Sequence, residues 1–329
     1  MKHFRTEISI PPLSHPVSYA TPVLACGSCF ADRMGLRLEA RKFPVKVNPL
    51  GIIYNPVSLT EGLRMALEGR TETRIEFAPH LHAYHSFHLH SRFNHPDRAM
   101  MEAGVNQAFE ETGQYLRQAG WLFVTLGTAW VFREKESGEI VANCHKYPSE
   151  RFTKDLLSPA VILDSFLSFF RLLFAQNPHI RVLMTVSPVR HIKEGLSLNS
   201  VSKATLRLVC HQLVQALENV HYFPAYEIMS DDLRDYRFYG ADMIHPSDVA
   251  EDYIWEKFAD ACFSAQTRTL AEQAEKIKRE MAHRPMNPDS PEYIKFLERL
   301  LEKANLLHTS VDCTEEIQHI RGELSKIRG

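Results

Sequence analysis

Two stretches of this chain hold residue types that do chemistry together. The first is Ala25-Cys26-Gly27-Ser28-Cys29-Phe30-Ala31, a Gly-Ser pair between a short apolar run and a helix-favouring segment. A strand-to-helix turn lifts a side chain above the sheet edge, and a helix N-terminus favours negative charge developing beside it. A serine hydroxyl is a poor nucleophile until a base takes its proton, and the base needs a third group to fix its tautomer. The second stretch, Asp242-Met243-Ile244-His245, supplies both partners. Its spacing lets the Asp242 carboxylate reach Nδ1 of His245 while Nε2 faces Ser28. The chemistry implied is nucleophilic attack by Ser28, with His245 as general base and Asp242 as its orienting partner. A rival occupies the same residues, because Cys26-x-x-Cys29 has the spacing of a thiol redox pair. Against it, no Trp precedes Cys26, and Ala25-Cys26 continues the apolar run, which reads Cys26 as core and Cys29 as a first-turn helix residue.

These residues need a scaffold, and the hydrophobic pattern supplies one. Pro22–Ala25, Val45–Val47, Trp121–Leu126, Arg181–Val186 and Val220–Phe223 read as strands. Between them, 32–43, 57–68, 97–118 (interrupted by glycines), 159–176 and 200–219 read as helices, as do 226–235 and a segment capped by Ser247. Trp130–Arg133 and Glu139–Asn143 flank Glu136-Ser137-Gly138 as a hairpin. Strands alternating with helices over residues 20–264 predict a mainly parallel sheet with helices on both faces, where ligands bind at the carboxyl ends of the strands. The notable residues fall at those ends: Ser28, the Asn48–Asn55 loop with Gly51, Gly127-Thr128, Ser187–His191, and Asp242–His245. The pattern changes after residue 264. Three charged, helix-favouring segments over 265–329 predict a helical extension of a 1–264 domain, serving as scaffold or as a surface for homo-oligomers.

Other polar residues at loop positions are candidates for binding. Asn143-Cys144-His145-Lys146 and Arg190-His191 fit contacts to an anionic or sugar substrate, and equally fit buried groups that hold loops in place. Residues 71–95 carry His80, His82, His85, His88, His90 and His95; the strand spacing of His80/His82 and His88/His90 suits metal ligation, but no Cys or carboxylate cluster accompanies them, and the expectation is a half-exposed hairpin or loop. The chemistry calls for no cofactor and no metal.

Composition narrows the class. Of 329 residues 44% are hydrophobic and 24% charged, as in chains that bury a full core, and a net charge of −2 gives no case for a nucleic-acid surface. The most apolar stretch, 160–175, is broken by Asp164, Ser165, Ser168 and Arg171, so no membrane span is expected. Residues 1–5 lead into Pro-punctuated sequence, not a signal-peptide core. Six cysteines, several in apolar segments, read as reduced thiols and place the protein in the cytoplasm.

Gly27-Ser28-Cys29-Phe30-Ala31 spells the signature of the GSCFA family. Further blocks resemble that family: Asn48-Pro49 to Asn55-Pro56, Leu126–Trp130, Asn143–Lys146, Thr185–His191, Asp235–Tyr239 and Asp242–Ser247. The family is similar to the SGNH/GDSL serine esterases and acyltransferases on a flavodoxin-like three-layer α/β/α fold. The resemblance implies the same Ser28, His245 and Asp242 roles, and an ester substrate, either a small molecule or an O-acylated glycan. It also exposes a departure. In that superfamily a Gly N–H, here matched by Gly51, and an Asn after the third strand help to hold the oxyanion. The Asn place in Gly127-Thr128-Ala129 holds Ala129. Thr128, Asn55 and Asn143 are the candidate replacements, with Asn55 or Thr128 favoured. The alternatives to catalysis are a binding or scaffold protein with a degenerate hydrolase site, and the thiol redox protein.

Overall fold

The computed structural model describes residues 6–71, 73–283 and 290–328. The expectation for residues 1–5 lies outside them. The chain divides into two compact units. Of the described residues, one unit comprises 6–10, Val23–Gly35 and those from Lys46 to Lys257; the other comprises Pro11–Pro22, Leu36–Val45 and those from Phe258 onward.

The first unit is built on a sheet of β1 (Val23–Gly27), β2 (Val45–Val47), β3 (Trp121–Leu126), β4 (Arg181–Val186) and β5 (Val220–Tyr222), in the order β2-β1-β3-β4-β5. β1 pairs with β3, β3 with β4, and β4 with β5, all parallel, with Gly27 opposite Thr125 and Thr125 opposite Thr185. Every residue of β1 and β3 is buried. Such strands, covered on both faces, read as unbroken apolar runs instead of alternating ones. Leu24, Cys26, Val124, Val182 and Met184 face the main core, and the alternate residues Val23, Ala25, Phe123 and Leu183 are buried on the other face. The sheet is therefore the middle layer of an α/β sandwich. Its order is the flavodoxin-like one, whose switch point lies between β1 and β3.

The helices are α1 (Cys29–Ala40), α2 (Pro56–Glu68), α3 (Arg98–Gln118), α4 (Pro159–Gln176), α5 (Leu196–Ala216) and α6 (Asp248–Cys262). Asn55, Asp97 and Ser158 cap α2, α3 and α4, each accepting a backbone N–H of the first turn. The glycines of α3 do not interrupt it. At Gly113 a Cβ would stand 2.1 Å from the Ala66 carbonyl oxygen, so the missing side chain is what lets α3 lie against α2. In place of the expected 226–235 helix there is a short α turn, Ala225–Glu227, and a π turn, Ile228–Asp232. α4 reaches the length and hydropathy of a membrane-crossing segment, contrary to expectation. Here it packs between α2 and α5 and buries Ile162, Phe166, Phe169, Phe170 and Leu173.

A separate antiparallel sheet of three strands, Ile140–Val141, Trp130–Glu134 and Phe152–Leu156, has Trp130–Glu134 at its centre. The first two are the expected hairpin; the third was not foreseen. The second unit is helical, with α7 (Ala265–Met281), α8 (Pro291–His308) and α9 (Thr314–Arg328) closing on a core that includes Ile277, Leu297, Leu300, Ile317 and Ile320. Phe43 stacks between Tyr19 and Phe263, and Arg41 pairs with Glu275 at 2.7 Å within that unit.

Candidate active site

Gly27 ends β1 at φ +125°, and a Cβ there would sit 2.1 Å from the Thr125 carbonyl oxygen. Only glycine fits between the two strands in that conformation. Its N–H donates to Asn48 Oδ1 (2.8 Å), and Asn48 Nδ2 donates to Asp32 Oδ1 (2.6 Å). The turn is thus locked from the loop after β2. Ser28 follows, its N–H donating to Thr125 O at 3.0 Å and its Oγ accepting from Phe30 N at 3.4 Å. Ser28 is wholly buried. Cys29, at the start of α1, reaches the cavity that Ser28 does not line.

Across the sheet edge, Asp242 Oδ1 accepts the N–H groups of Ile244 (2.9 Å) and His245 (3.0 Å), while Oδ2 accepts from His245 Nδ1 at 2.6 Å. The His245 N–H, its ring and the Ile244 N–H hold the Asp242 carboxyl well below its usual range. The loop is closed by Gly240 N–H to His245 O, and Met243 takes a left-handed conformation at φ +59°. His245 is half-exposed and lines the cavity. With Nδ1 donating to carboxylate, Nε2 is the free basic nitrogen, the arrangement a general base requires.

Arg190 clamps this loop. Its guanidinium lies 3.8 Å from the centre of the Tyr239 ring and 5.1 Å from that of Tyr236; Nη1 donates to Met243 O and its N–H to Ile244 O. The loops after β3 and β4 are held by the N-terminal end of α5. Asn199 Oδ1 accepts the His191 N–H (2.9 Å), Ser202 Oγ accepts the Ala129 N–H (2.8 Å), and Lys203 Nζ donates to Gly127 O (2.7 Å) and Ser187 O (2.8 Å). Burial pushes the Lys203 ammonium down to about 7. The sequence reading missed Lys203. Its signal was there: Asn199, Ser202 and Lys203 continue the buried stripe of Leu206, Val209, Cys210 and Leu213.

The cavity has a volume of about 680 Å³, within the range of small-molecule sites. Its wall includes Cys29, Tyr54, Asn55, Thr128, Asn143, Arg190, His191 and His245, with Trp130, Val131, Phe132 and Lys154 from the small antiparallel sheet. Asn55, Thr128, Asn143, Arg190 and His191 thus meet around one space, but their polar atoms are mostly engaged. Asn55 Nδ2 donates to Ser58 Oγ and Val141 O; Thr128 Oγ1 accepts from Trp130 N and pairs with Ser202 Oγ; Asn143 Oδ1 accepts the His145 N–H. The N–H groups of Gly127 and Thr128 both donate to Tyr54 O, at 3.1 and 3.2 Å. Gly51, Gly127 and His145 are not in the wall. Gly51 N–H donates to Asn48 O, and His145 is buried with Nε2 donating to Ser86 O and Nδ1 accepting from Asn94 Nδ2.

The histidine-rich stretch forms the hairpin Glu76–Ala78/Ala83–His85. Three of its rings have internal partners: His80 Nε2 donates to His145 O, His85 Nε2 meets the Tyr147 hydroxyl at 3.1 Å while its Nδ1 has no partner among the described residues, and His88 pairs with Glu139. Among the described residues no three His, Cys, Asp or Glu side chains converge as a metal site requires. Both thiols of the Cys-x-x-Cys are raised by burial, Cys26 to about 12, the opposite of what activates a redox thiolate.

Residues 22–258 match the model of the GSCFA family, and residues 274–326 match that of the GSCFA domain protein, C-terminal domain. No curated protein matches the chain. With the first match spanning well over half of its 329 residues, the chain belongs to the GSCFA family.

Proposed function

We propose that this protein is a serine hydrolase of the SGNH/GDSL kind acting on ester bonds. Ser28 attacks the ester carbonyl, His245 takes the hydroxyl proton, and Asp242 holds His245 in the tautomer that allows it. An acyl-enzyme on Ser28 is then resolved by water or by an acceptor hydroxyl. The observation that carries this reading is the Asp242–His245 pair, bonded at 2.6 Å and opening onto a cavity whose wall contains Cys29, the neighbour of Ser28. The cavity lies at the carboxyl ends of the strands, where doubly wound sheets hold ligands. An O-acylated carbohydrate is the substrate class we favour, by analogy with families that share these blocks. Six free cysteines support a cytoplasmic site of action, and the C-terminal helices are the surface we assign to self-association.

Burial of Ser28 favours one other reading, a binding protein on a hydrolase fold. Hydrolysis of short p-nitrophenyl esters separates the two. The expected result is turnover by the wild type that falls to the buffer rate in Ser28→Ala and in His245→Ala. A wild type without turnover supports the binding reading.

A further inference from the structure

If Ser28 is the nucleophile, an oxyanion donor is still unassigned. Ala129 stands in the Asn place, and its own N–H goes to Ser202 Oγ. The Ser28, Gly127 and Thr128 N–H groups and the Asn55 amide all have internal acceptors. Two side chains of the cavity wall do not: His191 Nε2 and Trp130 Nε1 are both buried with no hydrogen-bond partner among the described residues, and of the two it is His191 whose ring meets Tyr54, the residue packed against Gly127 beside Ser28. A buried polar atom without a partner costs about 1–3 kcal/mol, so its persistence asks for a reason. The ring lies in the cavity wall with His245 and is anchored through its backbone N–H to Asn199. Tyr54 meets it edge-on at 5.5 Å. The same Tyr54 packs against Gly127, where a Cβ would stand 3.1 Å from the tyrosine ring and 3.3 Å from Ser28 Cβ. Gly127 thus stands beside both Ser28 and the Tyr54 ring that borders His191.

We propose that His191, as a neutral imidazole, donates from Nε2–H to the oxyanion formed when Ser28 attacks, the role an Asn side chain fills in related esterases. This rests on the serine-hydrolase reading above. In the step, the Ser28 Oγ–carbon bond forms, the hydroxyl proton passes to His245 Nε2, and the carbonyl π pair moves onto the oxygen that accepts from His191. On collapse the alcohol leaves with the proton from His245. A neutral donor is what this position requires, since it polarises the carbonyl without giving up its own proton. The surroundings keep it neutral: burial, then Lys203, His245 and Lys154, push the imidazole down to about 3.

The test uses the whole 329-residue chain, p-nitrophenyl esters, and the variants Ser28→Ala, His191→Ala, His191→Gln and His191→Leu. Loss of one oxyanion donor costs about 10²–10³ in kcat. His191→Ala is expected to show that loss with KM little changed, and His191→Gln, whose amide nitrogen reaches the same place, to recover at least tenfold of it. His191→Leu is expected to lose the same activity while unfolding at an equal or higher denaturant concentration, which a residue with a purely structural role would not do. If Ser28→Ala abolishes hydrolysis and His191→Ala leaves kcat within threefold, the inference fails and the serine reading stands. If hydrolysis survives Ser28→Ala, the serine reading fails, and the donor role falls with it. A wild type that does not hydrolyse these esters overturns both.

Discussion

His191 and His85 are held in the form that carries no charge. Burial is the first cause for both, pushing His191 down to about 3 and His85 to about 4. The consequence for stability has a definite sign. In the unfolded chain both take up protons as pH falls through about 6.5, while the folded protein refuses them until pH 3–4. The stability they confer is therefore complete above about pH 6.5 and is lost as pH falls toward the folded values, on the order of 2 kcal/mol from each by pH 5. Lys203 has the same sign between about pH 7 and 10.5. Thermal unfolding midpoints should fall steadily from pH 7 to pH 5, and a flat profile would contradict these burials. At this scale the sequence was legible where chemistry is local. Asp242 and His245 face each other because three residues separate them, and Gly27 precedes Ser28 because a Cβ would strike Thr125. The orphaned Nε2 of His191 was not legible, because it depends on residues from four separate segments. Nor was the burial of Ser28, which depends on tertiary neighbours distant in the chain such as Thr125 and Gly127.

At the scale of elements, the site hangs from one end of α5. Asn199, Ser202 and Lys203 each hold a different loop residue, His191, Ala129 and the Gly127/Ser187 pair of carbonyls. Lys203→Met keeps the aliphatic stem but leaves Gly127 O and Ser187 O without their donor. The expected cost is about 1–3 kcal/mol of stability. Ester turnover should fall as well, because the β3 and β4 loops lose their common anchor; chemical denaturation and p-nitrophenyl ester assays measure the two effects. Unchanged stability and turnover would show that the buried ammonium positions nothing. The central strands were legible because full burial writes unbroken apolar runs, as in Trp121–Leu126. The strand Phe152–Leu156 was not. Phe-Thr-Lys-Asp-Leu lies between Pro148 and Pro159 with three polar residues in the middle, and it becomes a strand only by pairing with Trp130–Glu134. Its Lys154 then enters the cavity wall, so part of the site was missed with it.

At the scale of the whole chain, the strand order β2-β1-β3-β4-β5 explains how residues as far apart as Cys29 and His245 come to border one cavity. Parallel strands bring their carboxyl ends to one edge, and β1 and β3 flank the switch point of this order. The alternation of strands and helices made that layering legible, and the order itself comes from the structure. The C-terminal helices were legible as helices from their spacing, while the participation of Pro11–Pro22 and Leu36–Val45 in their unit was not, since that depends on tertiary contacts such as the Tyr19–Phe43–Phe263 stack. The claim on which the account turns is that Ser28, buried as it stands, becomes the covalent nucleophile. Reaction with a small fluorophosphonate followed by peptide mapping tests this most directly. The account predicts a single adduct on Ser28, absent from Ser28→Ala and strongly slowed in His245→Ala; an adduct on another residue, or equal labelling of wild type and Ser28→Ala, would contradict it.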